Sequence, residues 1–100
     1  MKPQRTESVM LVQVPPELNA TNAVTFREGI RAALTTTTTT VDFDLSKTRF
    51  VDSSGLGALI AIHKTMLNRS GHVRVLNPGP SVLQILEVTR LNRLFEVVHS

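Results

Sequence analysis

The fold is decided by two stretches near the middle of the chain: Val41-Asp-Phe-Asp-Leu-Ser46 and Phe50-Val-Asp-Ser-Ser-Gly-Leu-Gly57. In the first, apolar and polar residues alternate strictly, which predicts a β-strand with its apolar side chains on one sheet face. Asp42 and Asp44 are then expected on the opposite, solvated face. The second stretch passes from an apolar pair into Asp, Ser and Gly, residue types that favour turns and helix N-termini. Together the two stretches predict a strand that leads through a short turn into a helix.

The segments before this unit predict one strand and one helix. Val9–Val14 is rich in β-formers and ends at a Pro-Pro pair, where a central strand cannot continue. A helix is expected up to about Leu34, because its apolar residues recur with a helical period, and either Asn19 or Thr21 can cap its start. The threonine tract Thr35–Thr40 ends this helix, since β-branched side chains disfavour helices, and it predicts a loop with a strand edge.

The helix that follows the Ser-Ser-Gly turn is predicted to end near Ser70-Gly71. Its apolar stripe has helical spacing and comprises Leu56, Leu59, Ile60, His63, Met66 and Leu67. Leu56 is therefore expected to pack inward. Gly71 is expected to form the C-cap, because helices often end in a left-handed conformation that glycine adopts without strain.

The remainder of the chain completes an alternating order of strands and helices. It predicts a strand at His72–Leu76, a helix from a capping box at Ser81 to about Thr89, a turn or short helix at Leu91–Leu94 and a last strand at Phe95–Val98. The order β-α-β-α-β-α-β is typical of α/β proteins. We therefore expect one domain over residues 1–100, with a small, mostly parallel sheet of about four strands covered by helices. Residues 1–8 are expected to be flexible or to form a short leading strand.

Composition argues against several classes of function. The chain has no cysteine, which excludes disulfides and thiol catalysis, and its three histidines have no metal-ligand spacing. A net charge of +3 comes from dispersed basic residues, and there is no Trp or Tyr to stack on bases, so direct nucleic-acid binding is not expected. No apolar run has membrane-spanning length, and the polar start lacks the apolar region of a signal peptide. We expect a cytoplasmic protein without cofactor, metal or membrane insertion.

Catalysis by the chain itself is also not expected. The serine turn is not a G-x-S-x-G elbow, because Asp52 and Ser53 precede Ser54. The chain contains no phosphate-binding G-x-x-x-x-G-K-[ST] sequence. Within the turn, local chemistry does not decide which of Ser53 and Ser54 caps the helix and which keeps a free hydroxyl, nor whether Asp52 does more than cap the helix.

The two central stretches resemble the signature of the STAS family, specifically bacterial anti-sigma-factor antagonists. In that family an alternating strand ends in Asp-Leu-Ser, and an Asp-Ser-Ser-Gly-Leu-Gly loop opens the following helix. The resemblance implies phosphorylation of the second serine, here Ser54, by an anti-sigma factor that acts as a serine kinase with ATP in its own site. It implies that the unphosphorylated form binds this anti-sigma factor and frees the sigma factor. Phosphorylation would end the binding, and a serine phosphatase would restore it.

The residues expected to form the switch loop on this resemblance are Asp52, Ser53, Ser54, Gly55, Leu56, Gly57 and Asn19. Gly55 and Gly57 lack side chains, so we expect a partner's active site to approach the backbone there. Asn19 departs from the family pattern, which often has an aspartate at this position; here the sequence reads Pro16-Glu-Leu-Asn19. The alternative is a STAS scaffold, or a regulatory subunit of a stress-signalling or transport complex, without a sigma switch.

Overall fold

Alternating strands and helices form a layered α/β domain in the computed structural model, which describes residues 4–5 and 8–100. The strands are β1 (Gln4–Arg5), β2 (Val9–Gln13), β3 (Glu17–Leu18), β4 (Thr40–Asp44), β5 (Phe50–Val51), β6 (His72–Leu76) and β7 (Glu96–Val98). The α-helices are α1 (Ala23–Ala33), α2 (Ser53–Leu67) and α3 (Pro80–Val88), and a 3-10 turn spans Leu91–Arg93. Of the leading residues 1–8, Gln4–Arg5 form β1 and Ser8 precedes β2; the other residues of that prediction lie outside the described part of the chain.

The main sheet has the strand order β1-β2-β4-β6-β7. The four strands β2, β4, β6 and β7 run parallel, and the two-residue β1 is antiparallel to β2. This confirms the predicted α/β class and the mostly parallel sheet. A separate two-stranded sheet, formed by β3 and β5, pairs Glu17 with Phe50 and Leu18 with Val51. This small sheet lies directly before the serine turn and positions it.

The hydrophobic core lies between one face of the main sheet and the three helices. The strands contribute the alternate residues Met10, Val12, Val41, Phe43, Val73 and Val75, and the helices contribute residues such as Phe26, Ile30, Leu59, Ile62, Met66, Val82 and Leu86. Phe26 and Phe43 stack across this interface with ring centroids 5.9 Å apart. Burial of alternate strand residues is the pattern expected when helices cover one sheet face.

The predicted solvation of Asp42 is wrong. Its side chain is buried, because it lies beside Arg74 in the parallel β4–β6 register. Arg74 Nε and Nη2 donate to the two carboxylate oxygens of Asp42, each over 2.7 Å. The hydrogen bond to Asp42 raises the pKa of Arg74 above its ordinary value. Asp42 and Arg74 therefore form a bidentate pair on the sheet face opposite the core.

The face that α2 buries also differs from the predicted stripe. Ile62 and Ala58 are buried, whereas Ile60 is only partly buried and Leu67 is exposed. Most residues of this helix are apolar, so periodicity leaves its rotation loosely defined. In the observed rotation, Gly55 lies directly against the Leu18 backbone of β3.

Three predicted helix caps are wrong. The N-cap of α1 is Asn22, not Asn19 or Thr21, and the N-cap of α3 is Gly79, because Pro80 suits the first helical position. Helix α2 ends at Leu67, before the predicted Ser70-Gly71, and the left-handed residue after it is Ser70. Gly71 is needed for a different reason, since a Cβ there would overlap the Thr39 carbonyl oxygen. The threonine tract is confirmed as a loop that becomes a strand at Thr40.

Candidate functional site

Asp52 joins the start of α2 to the turn between β3 and α1. Its Oδ1 accepts a hydrogen bond from the Gly55 amide over 2.9 Å, which makes it the N-cap of α2. Its Oδ2 accepts from the Ala20 amide over 3.1 Å, and its own amide donates to the Leu18 carbonyl over 3.1 Å. Because both carboxylate oxygens are occupied within the chain, the structure supports the capping function of Asp52 that sequence chemistry left open.

Gly55 allows α2 to approach β3 closely. It is buried, and a Cβ built on it would overlap the Leu18 carbonyl oxygen and lie 2.8 Å from Val51 Cγ1. The expectation that its missing side chain admits a partner is therefore wrong, because this position faces the protein interior. Gly57 is exposed, and outside its own stretch of helix no atom lies within 4 Å of the place that a Cβ would occupy there, so it retains the expected accessibility.

The two serines occupy the first turn of α2, and both are exposed to solvent. Leu56 is partly buried and packs against the core, as predicted. Ser54 also lines a shallow depression between α1 and α2, together with Ala20, Ala23, Val24, Arg27, Gly57 and Ala58. The hydroxyl-bearing turn thus lies at the surface, while the residues on either side of it are held by internal contacts.

Asn19 lies close to this turn but makes its hydrogen bonds within its own loop. Its Oδ1 accepts from the Thr21 amide over 3.0 Å, and its amide donates to Asn22 Oδ1 over 2.9 Å. Asn22 Nδ2 in turn donates to the Glu17 carbonyl over 2.8 Å. The loop is connected to the serine turn through the Ala20–Asp52 hydrogen bond, so the structure brings the two predicted parts of the site together.

Sequence reasoning missed Arg27 and Val24, which lie on α1 beside Ser54. Val24 is 59% exposed despite being apolar. Arg27 has a buried Nε with no hydrogen-bond partner, and its ion pair with Glu28 is long, at 3.6 Å. The signal in the sequence is spacing: positions 23, 24 and 27 share one face of α1, and positions 54, 57 and 58 share one face of α2. That these two faces meet is not visible from periodicity alone.

The described residues include no group of His, Asp or Glu that could hold a metal ion. Within the same part of the chain, no helix is long and apolar enough to span a membrane. What the site offers is an exposed pair of hydroxyls on a rigidly held helix start. The fold and this site define a small α/β domain with an exposed serine pair at the start of α2.

The STAS domain model matches residues 1–100, and the chain belongs to the STAS domain family. Among solved structures, it resembles the anti-sigma factor antagonist SpoIIAA in its unphosphorylated form, with 20% identity, a TM-score of 0.85, and coverage of 99% of this chain and 86% of that one. The phosphorylated form of SpoIIAA, a Bacillus cell fate determinant, matches with a TM-score of 0.79 at 20% identity, covering 99% of this chain and 89% of that one.

Two other structures show how widely the fold occurs. An anti-sigma factor antagonist from Mycobacterium paratuberculosis is 24% identical, with a TM-score of 0.82 and coverage of 96% of this chain and 81% of that one. The murine anion transporter Slc26a9 is 21% identical, with a TM-score of 0.78; the match covers 97% of this chain but only 17% of the transporter. At these identities the similarity establishes the fold alone.

Proposed function

We propose that this chain is an anti-sigma-factor antagonist that is switched by phosphorylation of Ser54. In the unphosphorylated form it binds an anti-sigma factor and thereby frees a sigma factor. The observation that carries the proposal is the exposure of Ser54 in the first turn of α2, where a kinase can reach its hydroxyl. Family membership and the structural similarity to SpoIIAA in both of its forms support the same conclusion.

The proposed modification transfers one phosphoryl group. The Ser54 oxygen attacks the γ-phosphorus of ATP held by the anti-sigma factor, the bond to the β-phosphate oxygen breaks, and ADP leaves. The hydroxyl proton passes to a base of the kinase. A serine phosphatase later hydrolyses the phosphoserine to restore the free hydroxyl. In this scheme the chain is the substrate and binding partner, not the catalyst, and it works in the cytoplasm without a cofactor of its own.

Phosphorylation at this position is expected to act on the interface and leave the fold intact. The phosphate adds about −1.5 to −2 charge at an exposed helix N-terminus, where backbone N–H groups favour negative charge. The core residues beneath the turn are not touched. A binding loss of about 3 kcal/mol from repulsion and desolvation at the partner's surface lowers affinity by more than a hundredfold. That loss is sufficient for a switch.

The test is to incubate the protein with its candidate kinase and ATP, and then to measure intact mass, peptide masses and kinase binding. We expect one phosphate on Ser54 and weaker binding afterwards. Ser54→Ala should block the modification and still bind, and Ser54→Asp should bind poorly. Ser53→Ala is the matched control, since it removes the neighbouring exposed hydroxyl and should leave phosphorylation intact. A phosphate on Ser53, or equal binding by modified and unmodified protein, would contradict the proposal.

A second candidate function is that of a scaffold or regulatory subunit in a stress-signalling or transport complex. It is favoured by the similarity to part of the anion transporter Slc26a9. In that case the domain would bind its complex equally well with Ser54 free, phosphorylated or replaced by alanine. Binding measured for these three forms therefore distinguishes the two candidates.

A further inference from the structure

The depression beside Ser54 is formed by two helix faces with small side chains. From α1 and the turn before it come Ala20, Ala23, Val24 and Arg27; from α2 come Ser54, Gly57 and Ala58. Alanine and glycine take up little space, so the two faces leave room between them. Arg27 and Ser54 are the members of this group with a charged or hydroxyl side chain, and they line the same depression.

Arg27 is poorly satisfied in the unmodified protein. Its Nε is buried and has no hydrogen-bond partner. Among the described residues its ion pair is with Glu28, over 3.6 Å, and the Glu28 side chain is 55% exposed. Arg31 also lies 3.8 Å from a carboxylate oxygen of Glu28 and shares its charge. A long, exposed pair between neighbouring residues holds a guanidinium only weakly.

We propose that Arg27 binds the phosphate group once Ser54 is phosphorylated, so that the chain holds its own phosphoserine through an internal arginine. The role of this contact in a switch rests on the proposed function, whereas the contact itself requires only a phosphate group on Ser54. A phosphate dianion carries up to twice the charge of Glu28 and presents several acceptor oxygens, which suit the planar N–H groups of a guanidinium. The start of α2 also favours a negative charge through the helix dipole.

The carboxylate of Asp52 does not occupy this place. Both of its oxygens already accept hydrogen bonds from backbone amides, at Gly55 and at Ala20, so it stays with the loop. The negative charge of Asp52 opposes the phosphate, and Arg27 offsets that repulsion from the α1 side. Phosphorylation would therefore change two features of the surface at once: it adds an anion at Ser54, and it withdraws a partly exposed cation at Arg27.

The test uses protein with phosphoserine incorporated at position 54 during translation, and follows its second pKa by phosphorus NMR. That pKa is about 6 for a free phosphoserine. We expect it to be lower in the intact chain, and Arg27→Gln to raise it by about half a unit or more. Arg31→Gln is the matched control, since Arg31 pairs with the same glutamate one turn further along α1, and it should leave the phosphoserine pKa unchanged. Arg27→Lys keeps the charge and the apolar stem, and should give an intermediate value.

A second measurement in the unmutated chain guards against misfolding of the variants. The Nε–H resonance of Arg27 should shift on the same pH midpoint as the phosphorus signal, and that of Arg31 should not. Equal phosphoserine pKa values in the unmutated chain and in Arg27→Gln, or an Arg27 resonance that ignores the titration, would overturn the proposal. Neither measurement involves a kinase or an anti-sigma factor. A failed kinase assay would thus count against the proposed function alone, and an unshifted phosphoserine against this contact alone.

Discussion

Replacing Gly55 by alanine is expected to destabilise the protein, whereas replacing Gly57 by alanine is expected to stabilise it. The two glycines are two residues apart in α2, but Gly55 is buried against β3 and Gly57 is exposed. At Gly57 no atom outside its own stretch of helix lies within 4 Å of an added Cβ. Alanine there should raise the free energy of unfolding by about 0.5–1 kcal/mol through helix propensity and a less flexible unfolded chain.

At Gly55 the added Cβ would overlap the Leu18 carbonyl oxygen and lie 2.8 Å from Val51 Cγ1. The obstructing oxygen belongs to the backbone of β3 and also accepts the Asp52 amide, so it cannot move aside without weakening that hydrogen bond. Overpacking of this kind costs about 1–3 kcal/mol. Because alanine gains at most about 1 kcal/mol in helix propensity, Gly55→Ala should lower the free energy of unfolding by about 1–2 kcal/mol in total.

Urea denaturation measures both effects. The free energies of unfolding of the two variants should differ by about 1.5–3 kcal/mol, which separates their urea midpoints by roughly 1–2 M for an m-value near 1.5 kcal/mol/M. A Gly55→Ala protein as stable as the unmutated chain would refute the reasoning, since the close approach of α2 to β3 would then impose no constraint. An equal loss in both variants would show that the helix start, and not the contact with Leu18, responds to the substitution.

Three further predictions concern the contacts around the sheet and the site. Arg74→Met should lower the free energy of unfolding by about 3 kcal/mol in urea denaturation, because the Asp42 side chain is only 8% exposed and would be left as an unpaired charge. Asp42→Asn should lower it by only about 1–2 kcal/mol, because the Arg74 side chain is 34% exposed and can be solvated. Asp52→Ala should lower the free energy of unfolding by about 1–2 kcal/mol in the same assay. It removes the hydrogen-bond acceptor of the Gly55 and Ala20 amides, so hydrogen exchange at both amides should become faster. Unchanged exchange at Ala20 would contradict this prediction. Burial lowers the pKa of His63 below its ordinary value, so the folded state favours the neutral ring. The contribution of His63 to the free energy of unfolding should be fully present above about pH 6.5 and should fall as the pH drops towards the lowered pKa. His63→Leu should abolish this pH dependence, which urea denaturation at a series of pH values measures.

The order of elements can be predicted because it depends on residues that are neighbours in the chain. The alternation at Val41–Leu45, the apolar period of α1 and the threonine tract each report local backbone preference, and β4, α1 and the loop between them lie within a few residues of where these patterns place them. The serine turn is predictable for the same reason, since Asp and Ser at a strand–helix junction favour a helix start. The observed helix caps differ from the predicted ones by a few residues, because several residues that can cap a helix lie close together in the sequence.

Which residues of the site work together cannot be predicted in the same way. Local chemistry leaves Asp52 with two possible functions, and the hydrogen bond to Ala20 that supports one of them joins positions 32 residues apart in sequence. The absent side chain of Gly55 suggests an opening for a partner, but Gly55 faces Leu18 because β3 pairs with β5. Both outcomes depend on strand pairing, which hydrophobic periodicity does not encode.

By itself, the sequence determined that the chain alternates strands with helices, that its sheet is mostly parallel, and that a pair of serines begins the second helix. Only the tertiary structure decided that Arg74 lies beside Asp42, that α2 turns Ile62 inward and Leu67 outward, and that Arg27 shares a depression with Ser54. The physical reason is that periodicity is a property of one segment, whereas register, helix rotation and the meeting of two helix faces are set when separate segments bury their surfaces against each other.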